Sequence, residues 1–234
     1  TVNINSGGLF DSFASNESVV SNINMNVVDG GSVGERFDVG SGSLVNISGG
    51  SVEDGFKALA GSRVNISGGF VGRVFQALNG SEVNISGGNV GFAFIAGPGS
   101  VVNITGGNVG SAFRIDPGSE VNITGGSVGI GARASGGSTV NISGGSVGDN
   151  FDATSSTVNI SGGNVGDDFD AFFGSTVNLF VTAIQIDGVD LGLSFEDPTV
   201  IINQRGGSLL EATLADESAF DLKLNETFVD DEDF

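Results

Sequence analysis

Apolar and polar positions alternate along the chain in short bursts that recur at a fixed interval. The phrase Val-Asn-Ile-Ser/Thr-Gly-Gly begins at Val45, Val64, Val83, Val102, Val121, Val140 and Val158, with spacings of 19, 19, 19, 19, 19 and 18 residues. Val177-Asn178-Leu179 opens one more copy. Degenerate copies precede the series. Gly30-Gly31 lies 19 residues before Gly49-Gly50, and Val2-Asn3-Ile4 is followed by Gly7-Gly8. The glycine pairs therefore mark nine units. A strict period decides the architecture before any single residue does.

Within a unit the pattern is set by column. Val45 and Ile47 alternate with Asn46 and Ser48, the period of two that predicts a short half-buried strand. Gly49-Gly50 is then expected to break the strand at a corner where a side chain would obstruct the turn. A valine column follows at Val33, Val52, Val71, Val90, Val109, Val128, Val147 and Val165. Four residues on comes a phenylalanine column: Phe37, Phe56, Phe75, Phe94, Phe113, Phe151 and Phe169, with Ala132 as the exception. Two further on is a smaller apolar column of Val39, Ala58, Ala77, Ala96, Ile115, Ala134, Ala153 and Ala171. Gly61-Ser62 and its equivalents form a second corner.

Five inward columns between two glycine corners predict one coil of an all-β, parallel β-solenoid (β-helix). The unit is too short for helical repeats of roughly 33 residues or more, and the Leu/Asn consensus of leucine-rich repeats is missing. The copy spanning 140–157 is one residue short and lacks the corner glycine, which places the deletion in a turn. Ala132 is expected to leave a void unless Ile130 fills it. The pattern does not read handedness; the missing hexapeptide period of left-handed solenoids favours a right-handed coil.

The expected organisation is a solenoid over 1–179, with irregular first coils in 1–44 and regular repeats in 45–179, then a C-terminal β cap and acidic tail over 180–234. At ~4.8 Å per coil, nine coils give a rod of roughly 40 Å. Residues 14–28 are polar and read as a loop. The cap is expected from Val200-Ile201-Ile202, Ser208-Leu209-Leu210 and the run Ala219 to Leu224, with turns at Gly206-Gly207 and Ala215-Asp216-Glu217-Ser218. Asp230-Asp231-Glu232-Asp233 is a solvated acidic tail. At the other end Val2 and Ile4 are already in repeat register, and an uncapped strand edge is a template for another chain. Either this edge continues into a larger protein or it joins a partner, such as the segment carrying Phe220, Leu222 and Leu224 of another copy, head to tail.

Composition narrows the function. Of 234 residues 41 are glycine and only 3 proline, so the glycine is neither collagenous nor linker-like. Cys and His are absent, which removes disulfides, thiolate nucleophiles, imidazole bases and their metal sites. A formal net charge of -20 argues against nucleic acid and anionic membranes as partners, and no apolar run is long enough for membrane insertion. Tyr and Trp are also missing while Phe occurs 18 times. The cations are scattered, so the base and basic groove of a uronate lyase are not recognisable.

Three features are candidates for function. The first is an outward row of Asn46, Asn65, Asn84, Asn103, Asn122, Asn141, Asn159 and Asn178, with Ser48, Ser67, Ser86, Thr105, Thr124, Ser143 and Ser161 two residues on. Stacked amides that hydrogen-bond along the rod are one reading. A flat array that orders water or ice is another. Seven of these asparagines, Asn46 to Asn159, are Asn-X-Ser/Thr acceptor sites, but glycans ~4.8 Å apart would crowd one another, so the sequons read as a by-product of the strand pattern. The second feature is an acidic patch, Asp149, Asp152, Asp167, Asp168 and Asp170, either solvated surface or a weak Ca²⁺ site. No other cofactor is expected. The third is carboxylate catalysis on polysaccharides, for which near-identical coils offer no distinct cleft.

The repeat Gly-Ser-X-Val-Asn-Ile-Ser-Gly-Gly-X-Val-Gly-X-X-Phe-X-Ala resembles the short-coil β-solenoid regions of large secreted surface proteins of bacteria, planctomycete-like ones in particular. The stretch from Leu210 to Leu222 also looks like the end of such proteins. The resemblance covers about the whole chain but is a repeat style without a catalytic signature. It implies an extracellular or cell-surface location and a structural or adhesive role, with self-association or other surface proteins as partners and no active-site residues. A binding module for ice, calcium or carbohydrate is the alternative, and a polysaccharide-active β-helix enzyme the third.

Overall fold

The computed structural model describes residues 1–5, 9–10, 19–190 and 208–224. Each coil supplies one long and one short strand. Long strands such as Leu44–Val52, Arg63–Val71 and Glu82–Val90 stack in one parallel sheet. Short strands such as Lys57–Ala58, Gln76–Ala77 and Ile95–Ala96 stack in a second. Like pairs with like: Val83, Asn84 and Ile85 lie opposite Val102, Asn103 and Ile104. Among the described residues the first sheet has 12 strands and the second 9. The result is an all-β parallel solenoid of about 9 coils of about 19 residues.

The glycine pair does not end the strand as the sequence reading expects. From Leu44 to Val165 each long strand runs through it for 9 residues, and the pair forms a bulge where the register slips, between Ile85 and Ser86 and again between Ser86 and Asn89. Among the described residues only Gly30-Gly31 separates two strands, Asn24–Val27 and Ser32–Val33. The reason is close backbone approach between coils. A Cβ on Gly68 would lie 2.4 Å from the Ser48 carbonyl oxygen. Gly69 sits at φ +75°, and its Cβ would lie 2.6 Å from the Gly49 oxygen. The bulge bends the strand and returns it to register at the valine column.

Inside the coil the five columns are buried, Val45, Ile47, Val52, Phe56 and Ala58 all within 1% of full burial, except at the last coil, where Val165 is half-buried and Ala171 exposed. Phenylalanine rings stack along the axis, with centroids 4.9 Å apart for Phe56 and Phe75, 4.7 Å for Phe75 and Phe94, and 4.9 Å for Phe94 and Phe113. The stack resumes at Phe151 and Phe169, 5.2 Å apart. Ala132 interrupts it, and Ile130 does not fill the gap, because its side chain is 55% exposed on the corner outside. The neighbouring bulk is Ile115, buried to 1%, which pairs with Ala134 in the coil that carries Ala132. A sixth inward column is polar. Ser43, Ser62, Ser81, Ser100, Ser119, Ser138 and Ser156 are all buried at the second corner. Ser62, Ser100 and Ser119 donate their hydroxyls to the carbonyl three residues back, at 2.6, 2.7 and 2.6 Å. At these three corners the serine closes the turn with its own side chain, whereas Ser43 donates across to Val20 O at 3.2 Å.

One backbone position recurs in unusual form. The residue before each phenylalanine-column position is left-handed: Arg36, Gly55, Val74, Ala93, Ala112, Gly131, Asn150 and Asp168 have φ between 56° and 79°. This turns the N–H toward the following coil. Val74 donates to Phe92 O at 2.9 Å, Ala93 to Ser111 O at 2.9 Å, Ala112 to Ile130 O at 2.9 Å and Gly131 to Asp149 O at 2.8 Å.

At the start of the rod, part of the expected loop over 14–28 is instead coil. Asn24–Val27 is a strand paired with Val2–Ile4 on one side and with Leu44–Val52 on the other. Met25 and Val27 are fully buried in the valine and isoleucine columns, and Val19–Val20 belongs to the second sheet. The short alternation Met-Asn-Val carries the strand even though its flanks are polar. The shortened copy keeps its register, Val140 opposite Val158, and Ser155 takes the turn at φ 49°. After Leu179 the chain changes to a four-stranded antiparallel sheet of Val181–Ile186, Val189–Asp190, Ser208–Leu214 and Ala219–Leu224. Asp187-Gly188, both at positive φ, turns the first hairpin. Leu214 and Ala212 are buried as part of the solenoid core cluster, so this sheet plugs the end of the rod. Val200-Ile201-Ile202, Gly206-Gly207 and the acidic tail lie outside the described residues.

Candidate functional site

The asparagine row is a continuous side-chain hydrogen-bond ladder. Asn46 Nδ2 donates to Asn26 Oδ1 at 2.9 Å, Asn65 to Asn46 at 2.9 Å, Asn84 to Asn65 at 3.0 Å and Asn103 to Asn84 at 2.8 Å. Asn122, Asn141, Asn159 and Asn178 continue it at 2.9, 2.7, 2.7 and 2.7 Å. The sequence reading begins the ladder at Asn46, but Asn26 and Asn3 extend it to the first coil, with Asn26 donating to Asn3 at 2.7 Å. Asn3 and Asn26 hold the middle position of Val-Asn-Ile and Met-Asn-Val, the signal that identifies them. Every amide donates toward the N-terminal end, so the dipoles align head to tail and each bond polarises the next. Each net contribution is about 0.5–1.5 kcal/mol. Because Nδ2 is engaged in the ladder, these asparagines are poor acceptors for glycan transfer in the folded chain.

The flanking rows are more exposed. Ser48, Ser86 and Thr105 reach the carbonyl oxygens of Val27, Ile66 and Ile85 at 3.5, 3.5 and 3.4 Å, long contacts that leave the hydroxyls open to solvent. On the other side Glu82 accepts from Asn84 at 3.0 Å and pairs with Arg63 at 2.6 Å. The Asn84 amide, with Arg63 adding to it, holds the Glu82 carboxyl below the usual glutamate range.

The five aspartates of the acidic patch divide between two kinds of position. Asp149 Oδ1 accepts the Asp167 N–H at 3.0 Å, closing the coil corner as Asp54 does for the Arg73 N–H at 2.7 Å. Asp152 pairs with Arg133 at 3.1 Å, and its register partner is Asp170. Asp167 and Asp168 are exposed. Among the described residues no group of three or more carboxylates is placed to hold a metal ion.

The two expected assembly edges are both ends of sheets. Val2–Ile4 closes the first sheet, and Ala219–Leu224, which carries Phe220, Leu222 and Leu224, is the outer strand of the cap. Val2 is 40% exposed, whereas Ile4 is in the core, so this edge offers backbone and one valine. A contact not anticipated from the sequence ties the cap to the rod. The turn after Leu214 brings Asp216 Oδ2 to the Gly163 N–H at 2.9 Å, and the Ala215 N–H donates to Phe180 O at 2.9 Å. Asp216 also accepts from the hydroxyl and N–H of Ser218. These donors, those of Ser218 foremost, hold its carboxyl below the usual aspartate range. A Cβ on Gly162 would lie 2.3 Å from the same carboxylate, so the glycine pair of the last full coil is the cap's seat.

Comparison of the chain with family models, curated proteins and solved structures finds no match.

Proposed function

We propose that this chain is a non-enzymatic structural or adhesive rod of the extracellular space or the cell surface. The observation that carries the reading is the amide ladder. Ten asparagines, from Asn3 to Asn178, are joined in one direction across every coil. Side chains that would otherwise be free to vary from coil to coil are spent on holding neighbouring coils together, and the same face repeats without a distinct constellation. The resemblance to secreted bacterial solenoids points the same way, and so does the composition, which lacks His and Cys and so offers no imidazole base or thiolate nucleophile.

Assembly end to end into a filament is the finer form of the proposal. It is supported by the strand Val2–Ile4 and the cap strand Ala219–Leu224 as sheet edges at opposite ends, since unpaired edges accept another strand. Electron microscopy and light scattering at high concentration test it. Fibres of regular repeat are expected, shortened by deletion of residues 225–234 if that tail belongs to the contact. A strictly monomeric rod at all concentrations would end the filament form. The exposed, evenly spaced Ser/Thr row favours a second reading, a water-ordering face, for which thermal hysteresis is the test; ordinary freezing would end it.

A further inference from the structure

One corner of the solenoid carries an apolar ridge that the scaffold does not need. Phe92 is 54% exposed and Ile130 55% exposed at a column position that is Asp54, Arg73, Ser111, Asp149 and Asp167 in other coils. Beside them, Val74, Ala93 and Ala112 occupy the left-handed position at φ 57°, 59° and 58°. The same position is Arg36, Gly55, Gly131, Asn150 and Asp168 elsewhere, mostly residues suited to that conformation. A β-branched residue there is an outlier, and Val74, itself 42% exposed, gains little from the protein's own core. The backbone bonds from Val74 to Phe92, Ala93 to Ser111 and Ala112 to Ile130 place these residues on successive coils. They form a stripe of about 15 Å along the rod, with Ser111 and Ala112 on the coil between Phe92 and Ile130. Strain kept at the exposed Val74 points to a contact made outside the chain.

Charge selects what makes that contact. The next two coils toward the cap continue the corner with Asp149, Asp167 and Asp168, and the chain as a whole carries -20. A second copy would bring like charge against like charge. We propose that the ridge docks a basic protein segment with an apolar face, its leucine-like side chains against Phe92 and Ile130 and its Lys or Arg side chains over Asp149, Asp167 and Asp168. This gives the aspartates a role as a charged rim, where attraction steers and orients a partner.

The test uses the full chain and a short fluorescent amphipathic peptide of leucine and lysine, with a leucine–glutamate peptide of the same pattern as control, read by anisotropy. The leucine–lysine peptide is expected to bind and the control peptide not to. Phe92→Ser/Ile130→Ser and Asp149→Asn/Asp167→Asn/Asp168→Asn should each weaken binding roughly tenfold. Neutralising three distant acids, Asp29→Asn/Glu120→Gln/Asp187→Asn, should weaken it by less than about twofold. Val74→Gly guards against a folding artefact, since it relaxes the backbone while removing a ridge side chain, and it should bind several-fold more weakly at equal or higher melting temperature. Unchanged binding by the Phe92/Ile130 variant would overturn the proposal, since the attraction would then be to bulk charge. So would self-association of the native chain that the same variant abolishes, because a second copy would then be the occupant.

Discussion

The break in the phenylalanine stack makes the core's packing logic measurable. Ala132 stands where seven other coils carry phenylalanine, and Ile115 stands beside it in a column that is mostly alanine. The two exceptions compensate each other if the isoleucine fills space that a ring would take. Ile115→Ala alone then opens a cavity next to an existing small residue, at a cost of about 2–5 kcal/mol. In a chain of this size each kcal/mol moves the midpoint by about 2–4 °C, so a fall of roughly 6–12 °C is expected for a middle value of about 3 kcal/mol. Ala132→Phe alone forces a ring against Ile115 and costs about 1–3 kcal/mol by overpacking. The double variant restores the neighbouring coils' arrangement. Its ring would meet Phe113 and Phe151 at the 4.7–5.2 Å seen for the well-stacked pairs. Two new stacks contribute about 0.5–1.5 kcal/mol each beyond the area they bury. The double variant should therefore melt at or above the native temperature, with a coupling of several kcal/mol. Circular dichroism is the assay, because the chain has no Tyr or Trp to report by fluorescence. Additivity of the two single effects within about 0.5 kcal/mol would refute the compensation.

Three further outcomes follow from the same structure. Val74→Gly should raise stability by about 1 kcal/mol, a rise of roughly 2–4 °C by calorimetry, because a left-handed β-branched residue is replaced by one without a Cβ. Asn103→Ala removes the donor to Asn84 and the acceptor for Asn122, and should cost about 2 kcal/mol in denaturant unfolding; a neutral result would show that water replaces the ladder. Asp216→Ala should speed hydrogen exchange at Gly163 and through the cap while leaving the central coils unchanged. Its pH dependence has a definite sign. A carboxyl whose pKa is lowered on folding stabilises above its unfolded value, and that contribution disappears as pH falls through the folded one, so acid below about pH 4 should loosen the cap of the native chain and not that of the variant.

Periodicity made most of the rod legible. Val45, Ile47, Val52, Phe56 and Ala58 declare their inward direction because each is repeated at the same offset, and stacking like on like is the one arrangement that buries all of them. The asparagine ladder was readable for the same reason. What the pattern missed has local causes. Gly49-Gly50 signals a backbone without Cβ, but a strand bulge and a corner share that requirement, and only the coil beneath distinguishes them. Ser62 and its equivalents are polar and follow a glycine, so they read as surface. At Ser62, Ser100 and Ser119 the buried hydroxyl turns back to a carbonyl three residues away, which composition does not reveal. Met25-Asn26-Val27 was hidden by its polar flanks. Asp187-Gly188 is a hairpin signal that was there to be used. The seat of Asp216 on Gly163 joins residues 53 apart, and no repeat offset encodes it. The acidic patch was visible as composition, yet its members serve different tasks, Asp149 on a backbone amide and Asp152 on Arg133.

Because each coil meets the one before and the one after it in the same register, the boundary between any two central coils is interchangeable with the next. Excision of residues 64–82 would set Val83 on Val45, Phe94 on Phe56 and Ala96 on Ala58, and rejoin the ladder at Asn46 and Asn84. The rod is thus a translational lattice in one dimension, whose length is an adjustable quantity independent of its ends. Duplication or loss of a 19-residue unit in the gene would lengthen or shorten it by one lattice spacing, ~4.8 Å, and the aperiodic cap would close a rod of any number of coils. The molecule's reach is in that sense a count, open to change by recombination within the coding repeat.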